Sequence, residues 1–290
     1  MNQKSSAAEQ SSTQQIEVRR LRFGLSYELP KYWNNGDDVK TYIFNAIALL
    51  APAFERLAIT SVLPYRENIQ DPVLKQQVQG FIGQESAHGS EFIRMQCLLK
   101  NQGYNPKQIE KLNIDRFKAL AQKFSPEMHL SFTLAAEHVT AVISDLLLTE
   151  KTWLSGAPKE MAALWRWHAI EEIDHKAVVF DLYKAVGGSY WVRVKGMLLM
   201  TFVLWMYLTR NYAHLAKTDK KLLSPKFWFK TVWILWGRPG FMRKQLKSYF
   251  GYFMPNFHPW RKNNYHLIKR FKEVYAELPK LKIVDFLSDY

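Results

Sequence analysis

Trp167–Lys176 reads WHAIEEIDHK, and within it Glu172 and His175 stand three residues apart. Residues at that spacing share one face of a helix, so the carboxylate and the imidazole point the same way. The spacing Glu-x-x-His occurs once more, at Glu85 and His88 in GFIGQESAHGSEF, and at none of the other six of the eight histidines. Either pair alone is more often a solvated helix pair than a metal ligand set. Two pairs in one chain raise the question of a shared site.

Outward from this stretch the sequence divides into four long helices. The first is expected from about Asp38 to Ser61, capped by Asp37 or Asp38 and ended by Pro64, with Pro52 as an internal kink or break. The second runs from about Asp71 to Lys100, opened by Asp71-Pro72 and stopped by Asn101-Gln102-Gly103. After a connection with a possible short helix over Pro106 to Lys123, Ser125-Pro126-Glu127 announces the third, to about Thr149. The fourth runs from near Pro158 to Gly187-Gly188. No segment sustains the period-two alternation of a strand, so the class is all-α.

The halves repeat. Helix one carries Glu55 among apolar residues, and helix two supplies Glu85 and His88; helix three carries Glu137, and helix four supplies Glu172 and His175. A carboxylate in an apolar helix is costly unless paired or ligated. One Glu followed by Glu-x-x-His, twice, is the ligand pattern of ferritin-like dimetal bundles, in which all six side chains point inward. The 49 residues between His88 and Glu137 leave room for the crossover connection of that fold. Two cations held a few ångströms apart repel, and four carboxylates neutralise them while two imidazoles fix the outer ends. Oxygen-rich ligation of this kind suits two iron ions, or manganese, better than a structural zinc.

The neighbours are open. His168 shares a face with His175, and Glu171 lies between them: a further ligand and an acceptor for an imidazole N–H, or an ordinary helix-surface pair. A single zinc held by His168, Glu172 and His175 competes, but leaves Glu55, Glu85, His88 and Glu137 unexplained. His138, next to Glu137, must point elsewhere. Asp145 either orients a ligand histidine or is a polar residue near a helix end.

Several stretches together resemble the bacterial family described as predicted metal-dependent hydrolases: VRRLRFGLSYELPKYWNNGD, NAIALLAPAFER, DPVLKQQVQGFIGQESAHGSEF, AAEHVTA and WHAIEEIDHK. The resemblance spans about Val18 to Gly188 and continues more weakly beyond. It implies a ferritin-like fold and carries metal ligation onto Glu55, Glu85, His88, Glu137, Glu172 and His175. The family is often written with glycine before the first Glu, where this chain has Phe54; that departure alters packing and removes no ligand.

The 290 residues allow one large domain, or a domain with an extension, and 48% hydrophobic residues suffice for a core. Residues 1–15 read as a disordered Ser/Gln tail without the apolar region of a secretory signal, and 16–188 as the metal-binding domain with an N-terminal arm over Ile16–Asp38. Residues 189–290 read as a basic, aromatic helical extension. Cys97 is the one cysteine, so an intramolecular disulfide and a cysteine-based zinc site are both excluded. Net charge is +14, which suits an anionic partner. Gly196–Leu208 holds thirteen residues without a charge, short of a span unless Arg193 and Lys195 are tolerated; Trp228, Trp233, Trp236 and Trp260 follow among Lys and Arg. That mix fits a membrane interface better than a nucleic-acid groove, which needs no such uncharged run, with burial in a larger soluble bundle as the structural alternative.

Three functions are compatible with the pattern. The first is a dioxygen-dependent di-iron oxidoreductase acting on an apolar, lipid-like small molecule, supplied by an external electron donor and associated with the inner face of the cytoplasmic membrane. The second is hydrolysis of an ester or amide by metal-bound water. The third is a non-enzymatic iron-handling bundle.

Overall fold

A computed structural model describes residues 15–269; residues 1–14 of the expected tail and residues 270–290 of the extension lie outside them. Among the described residues every regular element is a helix: α1 (Asp38–Ala48), α2 (Ala51–Val62), α3 (Pro72–Asn101), α4 (Pro106–Ala121), α5 (Pro126–Thr149), α6 (Lys159–His175), α7 (Val178–Ala185), α8 (Tyr190–Thr218), α9 (Pro225–Trp236) and α10 (Leu246–Gly251). The starts follow the capping residues. Asp37 accepts from the Lys40 amide, Asp71 from those of Val73 and Leu74, and Ser125 from that of Met128.

The first expected helix is broken near Pro52, as the proline signals, and the fourth, expected as continuous, is broken as well. The first parts at Leu49–Leu50, just upstream of Pro52. Proline has no amide hydrogen to give the carbonyl four residues earlier, which is that of Ala48. Gln96 Nε2 donates to that oxygen instead, at 3.1 Å, and Asn113 Nδ2 donates to the Leu49 carbonyl at 3.2 Å. The second break follows His175, at Lys176 and Ala177. There the buried Lys176 Nζ donates to the Lys262 carbonyl at 2.8 Å and to Asn264 Oδ1 at 2.7 Å.

α2 packs on α3, α3 on α6, α6 on α5, and α5 on α2, so four helices close a ring of contacts. The arm before α1 buries Phe23, Leu25 and Trp33 against the body and ties Arg19 to Glu171 and Arg22 to Glu91. α8 lies outside the ring, across α5 and α1. Gly196 permits the approach: a Cβ there would sit 1.9 Å from Ser131 Oγ.

α8 differs from the thirteen-residue run read in the sequence, because it continues through Arg193 and Lys195 for 29 residues. Arg193 does not reach for solvent. It is buried, and its guanidinium donates to the carbonyls of Tyr252 at 2.6 Å and Met254 at 2.9 Å. Among the described residues three helical stretches, over 38–68, 126–149 and 190–218, are long and apolar enough to cross a membrane. The first two hide 67% of their apolar window inside the protein, whereas α8 hides 28%.

Candidate metal centre

Glu55 on α2, Glu85 and His88 on α3, Glu137 on α5, and His168, Glu172 and His175 on α6 all project into the ring of helices, and all are buried. They form two groups whose ligand atoms lie within 4.8 Å of one another: Glu55, His88, His168 and Glu172; and Glu85, Glu137 and His175. The six residues of the repeated pattern are thus brought together. His168 joins them rather than pairing on the surface. His168 and His175 fall in different groups, so the single site built on His168, Glu172 and His175 is not the arrangement found.

Five ligand atoms in this cluster have no hydrogen-bond partner: Glu85 Oε1, His88 Nδ1, Glu137 Oε2, His168 Nε2 and His175 Nε2. A buried polar atom without a hydrogen bond is costly, and these five, divided between the two groups with His175 Nε2 3.0 Å from Glu137 Oε2 and His168 Nε2 3.1 Å from Glu172 Oε1, form an arrangement that could hold cations. The outer imidazole nitrogens support this. His88 Nε2 is 3.0 Å from Glu171 Oε2, and the Glu171 carboxylate in turn meets Arg19 at 3.2 Å. His175 Nδ1 donates to Gln84 Oε1 at 2.9 Å. Fixing the outer N–H turns the lone pair of each inner nitrogen toward the centre. Gln84 Nε2 is held in turn by the Glu17 carbonyl at 3.0 Å. Thr140 Oγ1 makes a short hydrogen bond to Glu172 Oε2.

The titration behaviour of the cation-free cluster follows from crowding. Burial disfavours charge on His88, but Glu171, Glu55 and Glu85 outweigh it and hold the imidazole well above its usual range. For His175, burial is likewise overcome by Glu137 and Glu172. Among the carboxyls, burial and the charges of Glu55 and Glu137 push Glu85 well up, while Glu137 rises to about 7 through burial and the Glu172 charge. Glu172 is held well down because His168 and His175 outweigh its burial. Cation binding to these raised imidazoles and carboxyls would therefore release protons.

Aromatic rings seal the rear. His88 packs edge-on to Trp167, Phe92 to His168, and Phe81 to His175, with centroids 4.8–4.9 Å apart. On the other side a cavity of about 80 Å³ reaches the cluster, touching Glu55, Glu85, Glu137, His168 and Glu172. Its remaining walls are mostly apolar, with Phe54, Leu57, Val139 and Ile143 from α2 and α5, and Leu204 and Leu208 from α8.

His138 points away from the cluster, as required by its neighbour Glu137, and Nε2 donates to the Ser248 carbonyl at 3.0 Å. Asp145 orients no histidine; it bonds Lys262 and Asn264 in the C-terminal segment. Sequence reasoning missed Gln84 as the anchor of His175 and Arg19 as the anchor of Glu171. Gln84's one signal was its position immediately before Glu85.

No curated protein and no solved structure matches the chain. The model of one family, described as predicted metal-dependent hydrolase, matches residues 17–263, from the arm through the metal cluster and into the segment beyond α10, and the chain belongs to that family.

Proposed function

We propose that this protein hydrolyses an apolar ester or amide with metal ions held by Glu55, Glu85, His88, Glu137, His168, Glu172 and His175. The observation that carries the reading is the gathering of seven buried carboxylate and imidazole residues in two groups, with Glu55, Glu85, Glu137, His168 and Glu172 lining an otherwise mostly apolar pocket. Membership of the predicted metal-dependent hydrolases supports it. Four carboxylates would balance two divalent ions, whereas one ion would leave an excess of two negative charges in a buried site; this supports a pair.

A bound divalent ion supplies Lewis acidity and brings the pKa of a coordinated water toward neutrality. The chain does the rest. Gln84 and Glu171 hold the imidazoles in their ligating tautomers, and Thr140 restrains the Glu172 carboxylate. His88 of α3 and His175 of α6 lie away from the pocket, whereas Glu55 of α2, Glu137 of α5, Glu85 of α3 and His168 and Glu172 of α6 line it. Phe54, Leu57, Val139 and Ile143 grip the apolar part of a substrate and exclude water around the scissile group.

The oxygen-rich donor set favours a second reading, dioxygen-dependent oxidation at two irons with an external electron donor. Assays with and without dioxygen, on protein reconstituted with zinc, manganese or iron, separate the two. Ester cleavage without dioxygen, lost at least about a hundredfold in Glu137→Ala and Glu172→Ala, is expected. Dioxygen uptake in step with product formation, and no cleavage in its absence, would establish oxidation instead.

A further inference from the structure

α8 presents an inverted surface. Trp191, Leu198, Phe202 and Trp205 recur at seven, four and three residues, and are 67%, 56%, 61% and 63% exposed. This row is a helix face, and it is the face turned away from α5 and α1. Scattered exposed apolar residues are ordinary, but a continuous row over four turns marks a surface with a partner. Phe250, 62% exposed, extends it sideways, because its neighbour Tyr249 meets Thr201 of α8 through their hydroxyls at 3.0 Å.

The charge around the row identifies the partner. Residues 189–263 contain fourteen Lys and Arg and one acidic residue, Asp219. That acid is turned inward, bound to Lys31 at 2.5 Å and to the hydroxyls of Tyr32, Tyr42 and Tyr104. Lys195 stands exposed within the row and Lys247 beside Phe250. Aromatic and aliphatic side chains set among cations fit the headgroup boundary of an anionic bilayer. α8 cannot leave the protein to span that bilayer without cost, since Arg193 and Asn211 on its inner face are buried and bonded to the body.

The same helix reaches the metal pocket. Leu204 and Leu208, on the inner side of the turns that carry Phe202 and Trp205, form part of its wall. We propose that the outer face of α8, with Phe250, docks on an anionic lipid surface, and that the adjoining pocket receives the apolar chain of an ester or amide dissolved in that lipid. The second half rests on the hydrolase reading above; the first does not.

Co-sedimentation tests docking without turnover, using the purified full chain with vesicles of phosphatidylcholine alone or mixed equally with phosphatidylglycerol. Binding to the mixed vesicles is expected, weakened by high salt and reduced about tenfold or more in the double variant Phe202→Ser, Trp205→Ser. Lys195→Glu should weaken it without touching the apolar row, and Leu63→Ser, exposed elsewhere on the protein, should not. Circular dichroism and melting verify that the variants fold. Cleavage of a water-soluble short-chain ester should survive the double variant, while cleavage of a vesicle-borne ester falls with binding. Wild-type protein that ignores anionic vesicles overturns docking, as does equal binding by the double variant. An oligomer that the double variant dissolves also overturns it, by assigning the face to a second copy. Vesicle binding with no ester cleavage sinks only the hydrolase reading.

Discussion

At the scale of residues, the cluster is held by side chains that touch no ligand atom of their own helix. Gln84 on α3 anchors His175 on α6, and Glu171 on α6 anchors His88 on α3, so each imidazole is fixed by the helix facing it. Replacing Gln84 with Leu removes the acceptor for His175 Nδ1–H and frees the ring to turn. Metal affinity should fall about ten- to a hundredfold with little change in helix content, measured by calorimetric titration of the cation. Glu171→Gln should act more mildly, because an amide oxygen still accepts from His88 while the charge facing Arg19 is lost. This division explains what the sequence revealed. The spacing of Glu85 with His88 and of Glu172 with His175 reports one helix face and yields four ligand candidates, and the repeated order of the two halves adds Glu55 and Glu137. Whether His168 turns inward, and which residue of the opposite helix meets each ring, depends on how two helices are rotated about their axes. No spacing within one helix carries that information, so His168 and Glu171 stayed open and Gln84 was missed.

At the scale of elements, prolines and capping side chains placed the helix starts, because each acts on backbone groups within one turn. The breaks were less legible. Pro52 signalled one, but its stability depends on Gln96 and Asn113, which are far away in sequence and satisfy the freed carbonyls. The full length of α8 was hidden for a similar reason: its extension requires Arg193 to be tolerated within an apolar helix, and the partners that allow this are the carbonyls of Tyr252 and Met254, distant in sequence. The seat of α8 gives a direct test. Gly196→Val would drive a branched side chain into Ser131 and lever α8 from α5. A loss of about 1–3 kcal/mol or more in stability is expected, read from urea unfolding. A second test concerns the acid sensitivity of the contact between α1 and α9. Burial would raise the Asp38 carboxyl, but hydrogen bonds and charge from Lys221 and Lys230 outweigh it and bring it down to about 2, below the usual carboxylate range. A carboxyl depressed on folding contributes its stability above the unfolded value and loses it as pH falls toward the folded one. Between pH 5 and pH 3, wild-type protein should therefore lose more melting temperature than Asp38→Asn, whose amide has no proton to gain.

At the scale of the whole molecule, the candidate metal site is distributed over the ring of helices, so cation binding there would be coupled to folding. α2 and α5 give one ligand residue each, α3 gives two and α6 gives three, drawn from sequence positions 55 to 175. An unfolded chain cannot gather them, so a cation binds the folded state far better and stabilises it in proportion to the logarithm of its concentration. At a free cation concentration a hundred times the dissociation constant, the gain is about 2.7 kcal/mol per site. Chelator-treated protein should melt at lower temperature than metal-loaded protein, and the difference should shrink in Gln84→Leu. The Phe202→Ser, Trp205→Ser protein separates this linkage from docking. Its substituted side chains lie on the outer face of α8, away from every ligand atom, so the cation-dependent rise in melting temperature should be retained in full. If that rise were lost with the surface row, α8 would be part of the metal fold rather than a covering helix. A metal-independent melting temperature in wild-type protein would instead deny that the convergent carboxylates and imidazoles hold a cation in the folded state.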